Sequence, residues 1–306
     1  MTSENMTKFP QWIRRPWPSG HTFQEVKALL GDLKLHTVCQ SAHCPNQAEC
    51  WGRRTATFMV LGNTCTRHCT YCAVNSGRPD LPDAEEPAKI AEAVRRLGLR
   101  HAVLTSVTRD DLPDGGAEHI AACIRAIRVG VPGCTIEVLV QDFNGDVDAL
   151  NCILDTRPEI FSHNIETVRR LHPKLRDRRF AYDTALAVIA HAAQQGGAGF
   201  VKSAFMLGCG ESLEEARETL RDLRMAGCEA VSIGQYLQPT PRHHAVAEYV
   251  RPEVFASLEQ TACTLGFQFA VAGPFVRSSY RSEDLLASTV GRERLAALRK
   301  GDTHAG

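Results

Sequence analysis

Two stretches of the chain concentrate thiols. CQSAHCPNQAEC runs from Cys39 to Cys50, and CTRHCTYC follows from Cys65 to Cys72 after a gap of fourteen residues. Together they hold six of the chain's 12 cysteines. The second is a tight trio, C-x3-C-x2-C, of Cys65, Cys69 and Cys72; the first is looser, C-x4-C-x5-C, of Cys39, Cys44 and Cys50. Disulfides are a poor reading, because an odd trio cannot pair fully and the expected compartment is reducing. Structural zinc wants four closed ligands. His68 offers a fourth, although its place inside the loop beside Cys69 makes closure awkward. Three cysteines in one short loop suit a 4Fe–4S cluster with one iron left open. The other six cysteines (Cys123, Cys134, Cys152, Cys209, Cys228 and Cys263) are scattered and read as small buried or half-buried fillers.

The elements that must position these thiols are regular from about Thr55. TATFMVLG, HAVLTSV, TIEVLV, PEIFSHN, FVKSAFML and AVSIGQYL read as strands. Helical stretches lie between them, such as PAKIAEAVRRLG, with Ile90, Val94 and Leu97 on one stripe. A short helix, His21 to Leu30, precedes the loose trio. Six strands alternating with helices predict an α/β fold of parallel βα units, a curved sheet or partial barrel. In such a sheet, active-site groups gather at the carboxyl ends of the strands. The tight trio directly follows the first strand. Thr105 and Ser106 end the second, Asn164 and Glu166 follow the fourth, and Lys202 opens the fifth. GFQFAVAGPFVRSSY is a seventh extended piece outside the six-fold pattern, and His243-His244 reads as a solvated turn after Pro241.

Bulk properties narrow the function classes. The 306 residues carry 35 Lys+Arg against 35 Asp+Glu, so charge gives no case for nucleic acid or a membrane surface. No segment approaches the ~20 apolar residues of a membrane helix, and the opening MTSENMTKFPQWIRRPWPSG has no apolar run. A cytoplasmic protein is expected.

A C-x3-C-x2-C loop after the first strand of a partial (βα)6 barrel resembles the radical S-adenosylmethionine (SAM) superfamily. The loose trio narrows the match. CQSAHCPNQAECW, CTRHCTYCAVNSGRP, TSVTRDDLPDGGAEHI, IEVLVQDFNGD, HNIETVRRL, GQYLQPTPRHHAVAEYV and GPFVRSSY together resemble the lipoyl synthase family over nearly all of residues 36–282. The resemblance implies a partial (βα)6 TIM-type barrel over 55–250. It implies an N-terminal extension, 1–54, carrying the auxiliary cysteines, and a C-terminal extension, 251–306, carrying RSSY. It implies two 4Fe–4S clusters, a SAM-binding one on Cys65, Cys69 and Cys72 and an auxiliary one on Cys39, Cys44, Cys50 and Ser279. Thr105, Ser106, Asn164, Glu166 and Lys202 are candidates to contact SAM by strand position, with Gly115-Gly116 in the loop nearby.

The implied activity is that of a sulfurtransferase. Two sulfur atoms enter C6 and C8 of an octanoyl chain on a lysine of a lipoyl carrier domain, at the expense of two SAM. The auxiliary cluster is the sacrificial sulfur donor. An unactivated C–H bond has no pKa that a side chain can exploit, so a cofactor radical must supply the reactivity. Implied partners are octanoylated 2-oxoacid dehydrogenase E2 subunits or glycine cleavage H protein, an electron donor such as ferredoxin or flavodoxin, and an iron–sulfur carrier for repair. The basic N-terminal arm is a candidate docking element. Arg277 and Arg281 flank the two serines as surface charges or as organisers of that segment. Gln40, His43, Gln141, Ala204 and Arg281 depart from the family's usual wording, and none is an expected ligand. The alternatives are another radical SAM enzyme, an iron–sulfur electron carrier or sensor, and a zinc-binding interaction module.

Overall fold

The computed structural model describes residues 10–14, 20–52 and 55–302. Most of the basic arm and the junction at 53–54 lie outside the described residues. Seven parallel strands form one open sheet in sequence order: β1 (Thr57–Val60), β2 (His101–Ser106), β3 (Thr135–Leu139), β4 (Ile160–Ser162), β5 (Phe200–Leu207), β6 (Ala230–Gln235) and β7 (Phe269–Gly273). A two-residue strand, His36–Thr37, pairs antiparallel with β1 at the outer edge. Strands buried on both faces read as near-continuous apolar runs, which is why TFMV and AVSIGQ were legible.

Helices cover the outer face. They are α1 (His21–Asp32), α2 (Glu86–Leu97), α3 (Ala117–Gly130), α4 (Val147–Leu154), α5 (Tyr182–Gln195), α6 (Leu213–Met225) and α7 (Pro252–Thr264). Their ends follow local chemistry. Pro87 starts α2 and left-handed Gly98 stops it. Asp146 caps α4, and Ser212 with Glu215 makes a reciprocal capping box on α6.

The sheet does not stop after six strands. The segment expected outside the pattern pairs in parallel register with β6, Phe269 opposite Ala230 through Gly273 opposite Gly234. Helix α7 makes the crossover, so the segment from 251 extends the same sheet before it reaches RSSY. The chain then turns under the sheet. Leu285 and Leu286 pack on Ile160, Phe200 and Ala230, the first residues of β4, β5 and β6. The C-terminal segment thereby covers the amino-terminal end of the barrel. Among the described residues, no helix is long and apolar enough to cross a membrane.

Candidate active site

The tight trio occupies a loop closed at its neck. Thr64–Cys65 pairs with Asn75–Ser76, and the Gly77 N–H reaches the Cys65 carbonyl at 2.9 Å. Arg67, inside the loop, is fully buried. Its guanidinium grips Asp142 Oδ1 and Asp110 Oδ1, each at 2.8 Å, and Asn144 Oδ1 at 2.6 Å, and lies 4.0 Å from the Phe180 ring. Backbone donors point at the sulfurs: Arg67 and Thr108 N–H to Cys65 Sγ at 3.4 and 3.3 Å, and Asp177 N–H to Cys69 Sγ at 3.4 Å. Such N–H···S contacts suit thiolate ligands. His68, the alternative fourth ligand, is exposed, and its Nδ1 lies 3.2 Å from Ser76 Oγ.

Without a cation, Cys69 and Cys72 resist ionisation. Burial pushes Cys72 up to about 12, against the pull of the Val74 N–H, and charge on Cys69, Glu166 and Cys65 adds to the rise. Burial likewise raises Cys69 and Glu166. Three clustered thiols, two of which burial holds against deprotonation, with oriented N–H donors on their sulfurs, fit a bound metal centre.

One cavity of about 420 Å³ opens beside this loop. Cys65, Cys69 and Cys72 line it, and so do Thr105, Ser106, Asn164 and Glu166. The structure thus brings four of the five strand-end candidates together. Asn164 Nδ2 donates to Glu166 Oε1 at 3.1 Å, and Arg176 holds the Asn164 carbonyl at 3.1 Å. Gly115 and Gly116 serve shape instead. Both have positive φ, and a Cβ would meet Phe143 at 2.8 Å and Leu61 at 2.4 Å.

Lys202 is the exception. It sits five residues before Leu207, the carboxyl end of β5, about 16 Å at the usual rise. It does not line the cavity; it is buried, with Nζ 3.0 Å from Glu137 Oε1. Reading it as a strand-end group failed because it belongs to the opposite end of its strand.

The far side of the same cavity is lined by Val38, Ala42, His43 and Pro45 of the loose-trio loop and by Val276, Arg277 and Ser278. Here the strand-end rule gives way. The loose trio lies against Thr57, the first residue of β1, at the amino-terminal side of the sheet. Burial pushes Cys39 up to about 11, with charge on Cys44 adding to it, while the Thr57 N–H and the Trp51 side chain favour the thiolate. The buried Trp51 Nε1 has no oxygen or nitrogen partner among the described residues. Burial pushes Cys50 up to about 12, and charge on Cys39 and Cys44 contributes. This donor set also fits a metal centre.

The distant serine comes to the same place. Ser279 Oγ lies 3.0 Å from Thr57 Oγ1. Asn46 Nδ2 donates to the Phe275 carbonyl at 2.6 Å, and the Tyr280 hydroxyl to Glu49 Oε1 at 3.1 Å. These bonds tie the RSSY turn to the loose-trio loop across some 230 residues of sequence. Arg277 faces the cavity, and Arg281 is an exposed partner of Asp284 at 2.7 Å.

Sequence reasoning missed two groups. His243 and His244 are half-buried and not a solvated turn. His243 Nε2 lies 3.0 Å from the Cys72 carbonyl, and the His244 N–H donates to the Thr70 carbonyl at 2.9 Å, so both brace the tight loop. Arg67 was signalled only by its place between two ligands. Of the scattered cysteines, Cys123, Cys134, Cys209 and Cys228 are buried and Cys152 is half-buried, whereas Cys263 is exposed. Cys123 joins Glu86 and His119 in a group of metal-capable side chains. The Glu86 carboxylate is already engaged by the Leu61 N–H at 2.9 Å and His119 Nε2 at 2.7 Å.

Comparison with known proteins agrees with this geometry. The profile of the radical SAM superfamily matches residues 59–223, and that of the N-terminal domain of lipoyl synthase matches residues 1–44. The chain is 51% identical over 284 residues to lipoyl synthase of Thermus thermophilus, covering 92% of this chain and 88% of that one. It is 51% identical over 277 residues to lipoyl synthase of Chlorobaculum parvum, covering 90% and 94%. It is 44% identical to the mitochondrial lipoyl synthase of Candida albicans, covering 94% and 76%. Among solved structures, the hydrogenase maturase HydG from Carboxydothermus hydrogenoformans superposes with a TM-score of 0.54 at 14% identity, over 89% of this chain and 81% of that one. Methylornithine synthase gives 0.52 at 14% identity, over 85% and 87%. At that identity these two speak to the fold alone. The barrel, the two cysteine trios and the sequence relatives converge, and the chain belongs to the lipoyl synthase family of the radical SAM superfamily.

Proposed function

We propose that the two trios work through their shared cavity on one acyl chain. Family membership makes the protein a radical SAM sulfurtransferase that acts on lipoyl carrier domains. The observation that carries the residue-level reading is one cavity lined at one side by Cys65, Cys69 and Cys72 and at the other by the loose-trio loop and the RSSY turn.

When bound at the tight trio, a 4Fe–4S cluster supplies SAM binding at its open iron and the electron that cleaves SAM to a 5′-deoxyadenosyl radical. Thr105, Ser106, Asn164 and Glu166 face that side and hold SAM. The Arg67 network and the N–H donors fix the loop that carries the thiols. Met59, Leu139, Phe205 and Val276 line the cavity and exclude water from a reactive carbon centre. The sulfur substrate is a second cluster, held by Cys39, Cys44 and Cys50 with Ser279 as fourth ligand. Ser279 would release it at one corner, where the acyl carbon radicals at C6 and then C8, left when hydrogen passes to the deoxyadenosyl radical, would each bond a sulfide while the cluster's iron takes up the remaining electron. Two abstractions consume two SAM per lipoyl group.

In the cytoplasm, the carriers are 2-oxoacid dehydrogenase E2 subunits or glycine cleavage H protein. A ferredoxin or flavodoxin delivers electrons, and an iron–sulfur carrier rebuilds the consumed cluster. The test is anaerobic turnover with reductant, SAM and an octanoyl-lysine peptide. The expected products are a dithiolated peptide and two deoxyadenosines per lipoyl group. Deoxyadenosine without sulfur insertion would overturn the reading.

A further inference from the structure

A buried polar chain runs from inside the barrel to the RSSY turn. Lys202 Nζ lies 3.0 Å from Glu137 Oε1, and the Ser162 hydroxyl donates to the same oxygen at 2.8 Å. Glu137 Oε2 faces His101 Nε2 at 3.8 Å. That ring nitrogen lies 3.1 Å from Ser282 Oγ, and the Ser282 hydroxyl donates to the Ser279 carbonyl at 3.4 Å. The other ring nitrogen is held 2.9 Å from Thr135 Oγ1. Glu137, Lys202 and Ser282 are all buried. These side chains come from β2, β3, β4 and β5, so the frame under the turn is the barrel itself.

A buried ion pair is a weak source of stability, because desolvation offsets its attraction. Such pairs are best understood by what they orient. Here burial opposes charge on Glu137, but Lys202, His101 and Ser282 outweigh it and hold the carboxyl down to about 2. The pair is thus a fixed charged post, with Ser282 at its free end. Ser282 thus reaches the Ser279 backbone, and on the other side Thr57 meets the Ser279 hydroxyl.

We propose that Glu137, Lys202, His101 and Ser282 are positioning residues that hold the Ser279 turn over the loose trio and thereby couple hydrogen abstraction to sulfur insertion. This rests on Ser279 as the fourth ligand. It also gives Lys202 a role beneath the Ser279 turn, in place of SAM contact.

Ser282→Ala tests it, since it removes the link and leaves the ion pair intact. Deoxyadenosine formation should stay at its wild-type value, and the melting temperature should fall by no more than about 3 °C. Amide exchange in 275–282 should rise about tenfold, the effect of one buried hydrogen bond. The ratio of deoxyadenosine to dithiolated product should rise above two, and Ser282→Thr, which keeps a hydroxyl, should restore both. A merely structural role would lower deoxyadenosine and lipoyl product together, and that result overturns the proposal, as does unchanged exchange in 275–282. The ligand reading is tested separately. A chain with Cys65, Cys69 and Cys72 replaced by alanine carries only the loose-trio cluster, and Ser279→Ala should speed its iron loss to a chelator. Unchanged iron loss sinks the ligand reading, whereas exchange in Ser282→Ala still decides whether the turn is anchored.

Discussion

A serine oxygen is a harder ligand than a cysteine sulfur and matches cluster iron less well. On the proposed reading, three thiolates and one alkoxide would make a site with one weak corner, and Ser279 would be that corner. Ser279→Ala is expected to keep both clusters at near wild-type iron content, since three cysteines still hold each. It should lose most of the sulfur insertion while deoxyadenosine still forms. Parallel iron analysis and product quantification check this, and unchanged insertion removes Ser279 from the mechanism. At this scale the sequence was unevenly informative. The tight trio stated its chemistry through spacing and loop position, whereas the loose trio was read through the family resemblance. Ser279 has no such signature, since the turn that brings it to Thr57 is made by contacts 222 residues apart in sequence. Lys202 misled although the sequence already placed it at the opening of the fifth strand: it was grouped with residues at the carboxyl ends, and Glu137, 65 residues away in sequence, holds it at the other end.

The cluster loop is the element on which the radical chemistry depends, and its order comes from charge rather than regular structure. Arg67 replaces a hydrophobic core for this loop: Asp142 and Asp110 hold it from two other connections, and Phe180 stacks on it. Leu61, just before the loop, has a positive φ of 68°, and both its polar backbone groups are clamped, by Glu86 at 2.9 Å and Arg109 at 3.2 Å. Arg67→Met should destabilise the protein by about 3–5 kcal/mol, because it strands buried carboxylates. Urea midpoints measure this, and adding Asp142→Asn should recover part of the loss. A single variant within about 0.5 kcal/mol of wild type would show that the ion network is ornamental. The strands and most helices around this loop were readable from apolar periodicity and caps. The seventh strand was read as an extended piece but set outside the six-fold pattern, because FAVAG is only half-buried at the sheet edge and its parallel pairing with β6 is a tertiary contact. The loop network was invisible for another reason: the partners of Arg67 lie in the three connections after β2, β3 and β4, which only the folded sheet brings together.

The molecule as a whole carries no net charge, so its acid response is set by where its titrating groups are buried and not by overall repulsion. His163 and His172 are both about 1% exposed. Burial disfavours their charged forms, the Arg176 guanidinium adds to this, and both are held at about 4. In the unfolded chain each protonates near 6.5. Between those values the unfolded state binds up to two more protons than the native one, so falling pH favours unfolding. The native advantage is complete only well above about 6.5 and erodes as pH falls toward 4, by up to about 2.7 kcal/mol per pH unit for the pair. The salt-bridged carboxylates act later. Glu137 and Glu215 are held at about 2, so their contribution is lost only below the ordinary carboxylate range. Urea unfolding of the metal-free protein at pH 7.5, 6.5 and 5.5 should show stability falling by about 0.7 kcal/mol across the first interval and about 2 kcal/mol across the second. His172→Phe should halve the slope by removing one of the two protons. A flat profile down to pH 5.5, or a slope untouched by His172→Phe, would place the acid sensitivity of the barrel elsewhere.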